Sequence, residues 1–282
     1  METILIETNR QGSKVYNNQF TVLTLNELNA FFGILILRGV YRAAGESIDE
    51  LWSPEHGRII FTNTMTLNLF KLIRRILRFD NPDTRNGRLL RDKLTAVRLL
   101  IDNFVQSSQK CYMPGESITI DEQLYPYRGR CKFVQYMPSK PSKYGLKFWA
   151  VCDSGNYYCW NLRFYVGKED ARDIQVPYGE YITMDILQGL FGSGRNLTCD
   201  NFFTSLNLSR RLFQSGITMV GTVRASRRDI PKHLKSYRGR DVFSTIELIT
   251  TNQVDPRDNA LLVSYVAKKN KVYYTQYLIY CP

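Results

Sequence analysis

Ile118-Thr119-Ile120-Asp121 and, farther along the chain, Leu197-Thr198-Cys199-Asp200 share one design. Each reads as a short strand with Thr at its second position and Asp at its end. One such aspartate alone reads as an ordinary turn former, because its side chain bonds nearby backbone N–H groups. Two matched copies mean more. If the strands are neighbours in one sheet, both carboxylates reach the same edge, and carboxylate oxygens are what a hard divalent ion selects. Asp121 and Asp200 are therefore the candidate catalytic and metal-binding residues. The chemistry they suit is two-metal phosphoryl transfer, in which one ion activates the attacking oxygen and the other stabilises the leaving one.

The segment that follows the first acid, Tyr125 to Lys147, reads YPYRGRCKFVQYMPSKPSKYGLK. It interleaves Tyr125, Tyr127, Tyr136 and Tyr144 with Arg128, Arg130, Lys132, Lys140, Lys143 and Lys147. Cations set among aromatic rings suit a surface that tracks a nucleic-acid backbone. Arg128, Arg130, Lys140 and Lys143 are the candidate DNA contacts here. A second basic cluster runs from Arg224 to Arg240, with Asp229 its single acid, and it repeats the tetrapeptide Tyr-Arg-Gly-Arg.

Outward from these motifs the hydrophobic period changes twice. Residues 24 to 110 read as helical: Thr24 and Glu27 have capping-box spacing, and Leu28, Phe31, Phe32 and Leu35 follow at helical intervals. The run Ala30 to Leu37 reads as a buried helix. A second helix spans Thr66 to Phe79, with Leu69, Leu72, Ile73 and Ile76 on one face. Lys71, Arg74, Arg75 and Arg78 form a second stripe with no acid between them, and are candidate DNA contacts as well. The third helix runs from Leu94 to Gln109. From Ser117 the period is that of strands: Ser117 to Ile120, Lys147 to Cys152 and Tyr157 to Val166, the last two joined by the Asp153-Ser154-Gly155-Asn156 turn. A helix at Thr183 to Leu190, a strand at Leu197 to Cys199, a helix at Ser205 to Gln214 and a strand at Ile217 to Val223 complete the order of an RNase H-like fold. Residues 224–262 break the rhythm and read as inserted; Leu261 to Val266 and Lys271 to Tyr280 resume strands.

The expected class is therefore α+β or α/β, a helical N-terminal domain followed by an RNase H-like mixed sheet core that is interrupted by an insertion and stops before its last helix. The divisions are an arm at 1–23, a helical domain at 24–112, the first part of the core at 113–223, the insertion at 224–262 and a resumed core strand at 263–282. The formal charge of +12 over 282 residues favours a polyanionic partner, since each neutralised phosphate releases counterions. No stretch approaches the roughly twenty apolar residues of a membrane span, and the N-terminus lacks the pattern of a secretory signal. An intracellular protein with no membrane partner is expected. The six cysteines and two histidines form no CxxC pair and no cluster with zinc spacing, so the thiols read as buried and free and no zinc site is expected.

At this level of detail the residues resemble a known family. Thr119-Ile120-Asp121-Glu122-Gln123-Leu124, Arg128-Gly129-Arg130-Cys131 and Pro138-Ser139-Lys140-Pro141-Ser142-Lys143-Tyr144-Gly145 are similar to the core of piggyBac transposases and the proteins derived from them. Cys152-Asp153-Ser154-Gly155 and Thr198-Cys199-Asp200-Asn201-Phe202-Phe203-Thr204-Ser205 continue the match in order. Upstream, Phe31-Phe32-Gly33-Ile34-Leu35-Ile36, Leu51-Trp52-Ser53 and Arg78-Phe79-Asp80 resemble that family's dimerisation and DNA-binding domain. The resemblance implies DDE-type cut-and-paste transposition with Mg2+ in the nucleus, insertion at TTAA sites, a possible homodimer, and Asp121 and Asp200 as the first two metal-binding acids. No residue matches the family's third acid. Asp241, Asp255 and Asp258 lie in the inserted region and are not assigned to it.

Three readings stay open on the sequence. One is a DNA-binding, catalytically incomplete fragment of a DDE transposase. The second is an active transposase, longer than this chain or completed by another one. The third is a domesticated interaction protein without nucleic-acid chemistry.

Overall fold

The computed structural model describes residues 1–167, 175–228, 230–236, 238–250, 259–269 and 271–278. Asp229, Tyr237, Asp255, Asp258 and the residues 279–282 lie outside them. The chain divides into two compact units, Met1–Asn103 and Phe104–Pro282.

The first unit is helical. It contains α1 (Glu2–Tyr16), α2 (Leu25–Val40), α3 (Ile48–Leu51), α4 (Ile59–Thr64), α5 (Leu67–Ile76) and α6 (Arg85–Leu89), and α7 (Arg98–Cys111) begins in it. The capping box expected at Thr24 is formed: the Glu27 N–H donates to Thr24 Oγ1 at 3.2 Å, and the Thr24 N–H donates to Glu27 Oε2 at 2.8 Å. It satisfies two of the N–H groups that an α-helix start leaves without partners. Leu28, Phe31 and Ile34 on α2 meet Phe70, Ile73 and Ile76 on α5, together with Leu51, Trp52 and Phe61. Phe31 and Phe70 lie 5.0 Å apart between ring centroids, and Trp52 donates its indole N–H to the Met65 carbonyl at 2.8 Å.

Three expectations need correction here. The N-terminal residues do not form an arm: α1 buries Ile4 in the same core, and the Arg78 N–H donates to Thr8 Oγ1 at 3.2 Å. The Ala30–Leu37 run is buried on one side only, with Ile36 68% exposed, because a helix shows a core just one stripe of its surface. On α5 the fully buried positions are Phe70, Ile73 and Ile76, while Leu69 and Leu72 are half-buried flankers.

The second unit is built on a mixed sheet. Its strands are β1 (Ser117–Pro126), β2 (Gln135–Tyr136), β3 (Tyr144–Asp153), β4 (Cys159–Phe164), β5 (Asn196–Cys199), β6 (Thr218–Thr222), β7 (Thr245–Ile249), β8 (Ala260–Lys268) and β9 (Lys271–Leu278). Their order is β2-β3-β1-β5-β6-β9-β8-β7, and β4 also pairs with β3. Antiparallel β4-β3-β1 followed by parallel β5 and β6 gives the three-then-two arrangement expected of an RNase H-like core. Alternation places Ile118, Ile120, Trp149, Val151, Leu197, Cys199 and Met219 on one side of the sheet. They form one core with Ile182 and Ile186 of α8 (Tyr178–Ile186) and Leu208 and Leu212 of α9 (Leu206–Gln214).

The segment read as an insertion is not separate from the sheet. Its β7 pairs with β8, and β8 pairs with β9, which lies antiparallel to β6 through Val220↔Tyr277, Gly221↔Gln276 and Thr222↔Thr275. The buried Gln276 amide donates to Ser209 Oγ on α9 at 2.9 Å, fastening the added strands to the central core.

Candidate metal and nucleic-acid site

Parallel pairing of β1 with β5 runs in register, Ile118↔Leu197, Thr119↔Thr198 and Ile120↔Cys199. Asp121 and Asp200 are the next residue on each strand. Adjacent strands lie about 4.8 Å apart, so the two aspartates occupy neighbouring positions, and both are exposed. The geometry differs from the expectation in one respect. Asp121 does not end its strand: β1 runs on to Pro126 because β3 pairs with it as far as Gly145, with Asp121 opposite Ala150. Pairing to a long partner overrides the weak strand preference of Asp-Glu-Gln.

Asp200 does leave its strand, and a set of local bonds fixes how. Its Oδ1 accepts the Phe202 N–H at 2.9 Å, and its carbonyl accepts the Thr204 hydroxyl at 2.8 Å. Phe203 and Thr204 are buried, and Ser205 caps α9 by accepting the Leu208 N–H at 3.0 Å. A Cβ on Gly221 of β6 would stand 2.1 Å from Thr204 Oγ1 and 2.9 Å from the Cys199 carbonyl, so glycine is what lets this loop sit down. Two arginines of the Arg224–Arg240 cluster reach the same loop. Arg224 Nε donates to Asn201 Oδ1 at 2.7 Å, and Arg227 Nη2 donates to the Thr204 carbonyl at 2.8 Å. The basic cluster is visible in the sequence, and its tie to the Asp200 loop arises only from the fold.

The donor set suits a hard divalent cation. Asp121 Oδ1 accepts the Glu122 N–H at 2.7 Å, and neither aspartate is ion-paired to a described residue. Both can therefore offer carboxylate oxygens outward. Among the described residues no group of three or more His, Cys, Asp or Glu is arranged to hold a metal. Asp241 is described and joins no such group.

The cations divide sharply. Lys147 is not a surface contact: its ammonium lies 2.6 Å from Glu122 Oε2 and sits over the rings of Trp149 and Phe202, each 5.3 Å from the centroid. Lys140 also turns to Glu122, at 3.6 Å from Oε1. Arg128, Arg130 and Lys143 are exposed and have no ion pair among the described residues. With Pro126, Tyr127, Ser142 and Tyr144, Arg128 and Lys143 line a shallow cavity of about 170 Å³. Tyr136 and Tyr144 lie beside it on paired strands, 4.8 Å between centroids.

In the helical unit, Arg74 is exposed and has no ion pair among the described residues, and Arg75 covers the Tyr16 ring at 5.7 Å. Lys71 does have an acidic partner, Asp49, supplied by α3 rather than by its own helix. Arg78 is half-buried, and its guanidinium donates to the Leu77 carbonyl at 2.8 Å.

Asp153, the last residue of β3, is heavily bonded. It accepts the Gly115 and Gly155 N–H groups at 2.7 Å each and the Tyr112 hydroxyl at 2.9 Å. Those donors, Gly115 first, hold its pKa down to about 2. It therefore pins the start of β1 to the β3–β4 turn.

A helical unit followed by this sheet order can be compared with known proteins. The family model described as Transposase IS4 matches residues 1–277, and the chain belongs to that family of transposases, in its piggyBac-type branch. It is 27% identical over 209 residues to human PiggyBac transposable element-derived protein 3, covering 72% of this chain and 34% of that protein. Human PiggyBac transposable element-derived protein 2 is 26% identical over 243 residues, covering 83% and 40%. A piggyBac transposase solved by cryo-EM in a synaptic complex with hairpin DNA superposes with a TM-score of 0.91 at 35% identity, over 99% of this chain and 58% of that one. The chain thus spans well under half of these curated relatives. No helix among the described residues is long and apolar enough to cross a membrane.

Proposed function

We propose that this chain is a DNA-binding piece of a piggyBac-type transposase in which Asp121 and Asp200 together hold a Mg2+ ion against the DNA backbone. The observation that carries the reading is the in-register pairing of Ile120 with Cys199, after which Asp121 and Asp200 are the next residues along neighbouring chain segments. Exposed Arg128 and Lys143, which line the cavity, and exposed Arg130 supply phosphate contacts; Arg74 and Arg75 supply others from the helical unit. Such contacts position DNA without reading its sequence. The transposase family model and the DNA in the solved neighbour support this, as does the net charge of +12. A DNA partner makes the nucleus its place of work, and a homodimer is the assembly in keeping with the family.

A bound divalent ion supplies Lewis-acid activation of an attacking oxygen. Asp121 and Asp200 are the only residues that match the family's catalytic acids, and on this reading the chain holds one ion and DNA without cutting. The test is calorimetric titration of Mn2+ into the chain and into Asp121→Ala and Asp200→Ala, beside a cleavage assay on DNA with transposon ends. Saturable binding lost in both variants, with no hairpin or strand-transfer product, is expected. Equal binding in the variants would sink the shared site; cleavage abolished by Asp121→Ala would establish the active-enzyme reading instead.

A further inference from the structure

Five of the six cysteines are described, and all five are free thiols, but only Cys199 is buried. The expectation of buried thiols fails at exposed Cys111 and at half-buried Cys131, Cys152 and Cys159, and the last two stand directly opposite each other on antiparallel β3 and β4. From this juxtaposition we propose that Cys152 and Cys159 form a peroxide-responsive dithiol that closes reversibly into a cross-strand disulfide.

Opposed residues of an antiparallel pair share a face of the sheet and have Cα atoms about 4.5–5.5 Å apart. That lies within the roughly 4.4–6.8 Å a disulfide spans without backbone movement. The strands are anchored on the turn side of the pair. The Asp153 N–H donates to the Tyr158 carbonyl at 3.0 Å, and Asp153 fixes the intervening turn through the Gly155 and Asn156 N–H groups. The register of the ladder shifts between Val151 and Cys152. The neighbouring Cys159 thiol lowers the Cys152 thiol to about 7, and Cys152 in turn raises that of Cys159. Cys159 Sγ also lies 3.7 Å from the Asn161 carbonyl. Cys152 is therefore the attacking thiolate and Cys159 the resolving thiol.

The sequence of events balances. The Cys152 thiolate attacks one oxygen of hydrogen peroxide; the O–O bond breaks, hydroxide leaves and Cys152 becomes a sulfenic acid. The Cys159 sulfur then attacks that sulfur, the S–O bond breaks, and the thiol proton departs with the oxygen as water. Two thiols lose two electrons and two protons to one peroxide. A cellular dithiol reverses the step by exchange. The face concerned is that of Thr119 and Ala150, which pair with Cys152 and Asp121 respectively, so the modification falls beside the first acid's strand.

The test uses the full chain, fully reduced and then exposed to a small molar excess of peroxide, with non-reducing peptide mapping by mass spectrometry. The expected product joins the Cys152 and Cys159 peptides with loss of two hydrogens and is reversed by dithiothreitol. It persists when Cys111, Cys131, Cys199 and Cys281 are replaced by Ser, with folding checked by circular dichroism. In Cys159→Ser, Cys152 is trapped as a sulfenic acid that dimedone labels. Separate oxidation of the two residues, linkage of either to another cysteine, or no reaction in the folded chain overturns the proposal.

Discussion

The Lys147 ammonium sits 2.6 Å from the Glu122 carboxylate and is enclosed by the rings of Trp149, Tyr165 and Phe202. A lysine from a run of basic residues is thus turned inward, and it ties β1, β3 and the loop after Asp200 to one point. Both side chains are largely covered, at 15% and 22% exposure. Removing one partner leaves the other charge poorly solvated, so Lys147→Met and Glu122→Gln should each cost about 2 kcal/mol. Urea unfolding of the singles and the double measures it; the double variant should lose clearly less than the sum.

Asp153 makes stability depend on acid pH. Its folded pKa of about 2 lies below the roughly 3.9 of a free aspartate. The ionised form is the one favoured by folding, so its contribution is complete above the unfolded value and is lost as pH falls from about 4 through about 2. Urea midpoints at a series of pH values should fall more steeply in this window for the parent than for Asp153→Asn, which is less stable at neutral pH.

Gly221→Ala should destabilise by about 1–3 kcal/mol, the range for overpacking, because its methyl meets the Cys199 carbonyl and Thr204 Oγ1. Since Thr204 also bonds the Asp200 carbonyl, metal affinity should drop with it. Calorimetry on the folded variant reads this, and an unchanged affinity would show that the Asp200 loop tolerates the shift.

Salt dependence of DNA binding separates the cations. Each phosphate contact contributes about 0.9 to the slope of log affinity against log salt. Replacing Arg128, Arg130 and Lys143 by Ala should flatten the slope, alike for any duplex sequence. Lys140→Ala should change it less, because Lys140 already faces Glu122. Fluorescence anisotropy at stepped salt concentrations distinguishes the two.

In the helical unit, Phe70→Ala should cost about 3–5 kcal/mol as a large-to-small change in a packed core, and Leu69→Ala markedly less. Thermal melts of the two variants give the order.

These cases show what was legible in the residues. Capping chemistry is local, so Thr24 and Glu27 announced α2, and the Asp153–Asn156 turn announced the β3–β4 hairpin. The paired strands before Asp121 and Asp200 were legible because apolar alternation and a terminal acid recur in both. The reach of β1 past Asp121 was not, since β3 alone stabilises strand geometry in that polar stretch. On α5 the apolar side is broad, and only the neighbours choose Phe70 over Leu69 as the buried residue. Partners distant in sequence, such as Asp49 for Lys71 or Glu122 for Lys140, leave no local trace.

The placement of β9 against β6 bears on how the unit assembles. Residues 223–270 intervene between the two strands, and this long loop must close before Thr222 can meet Thr275. Contacts between strands distant in the chain form late and slowly. Until they do, β6 presents a bare hydrogen-bonding edge, the kind of edge that recruits other chains. Refolding at high concentration should therefore lose material to aggregation through β6, and dilution should restore the yield.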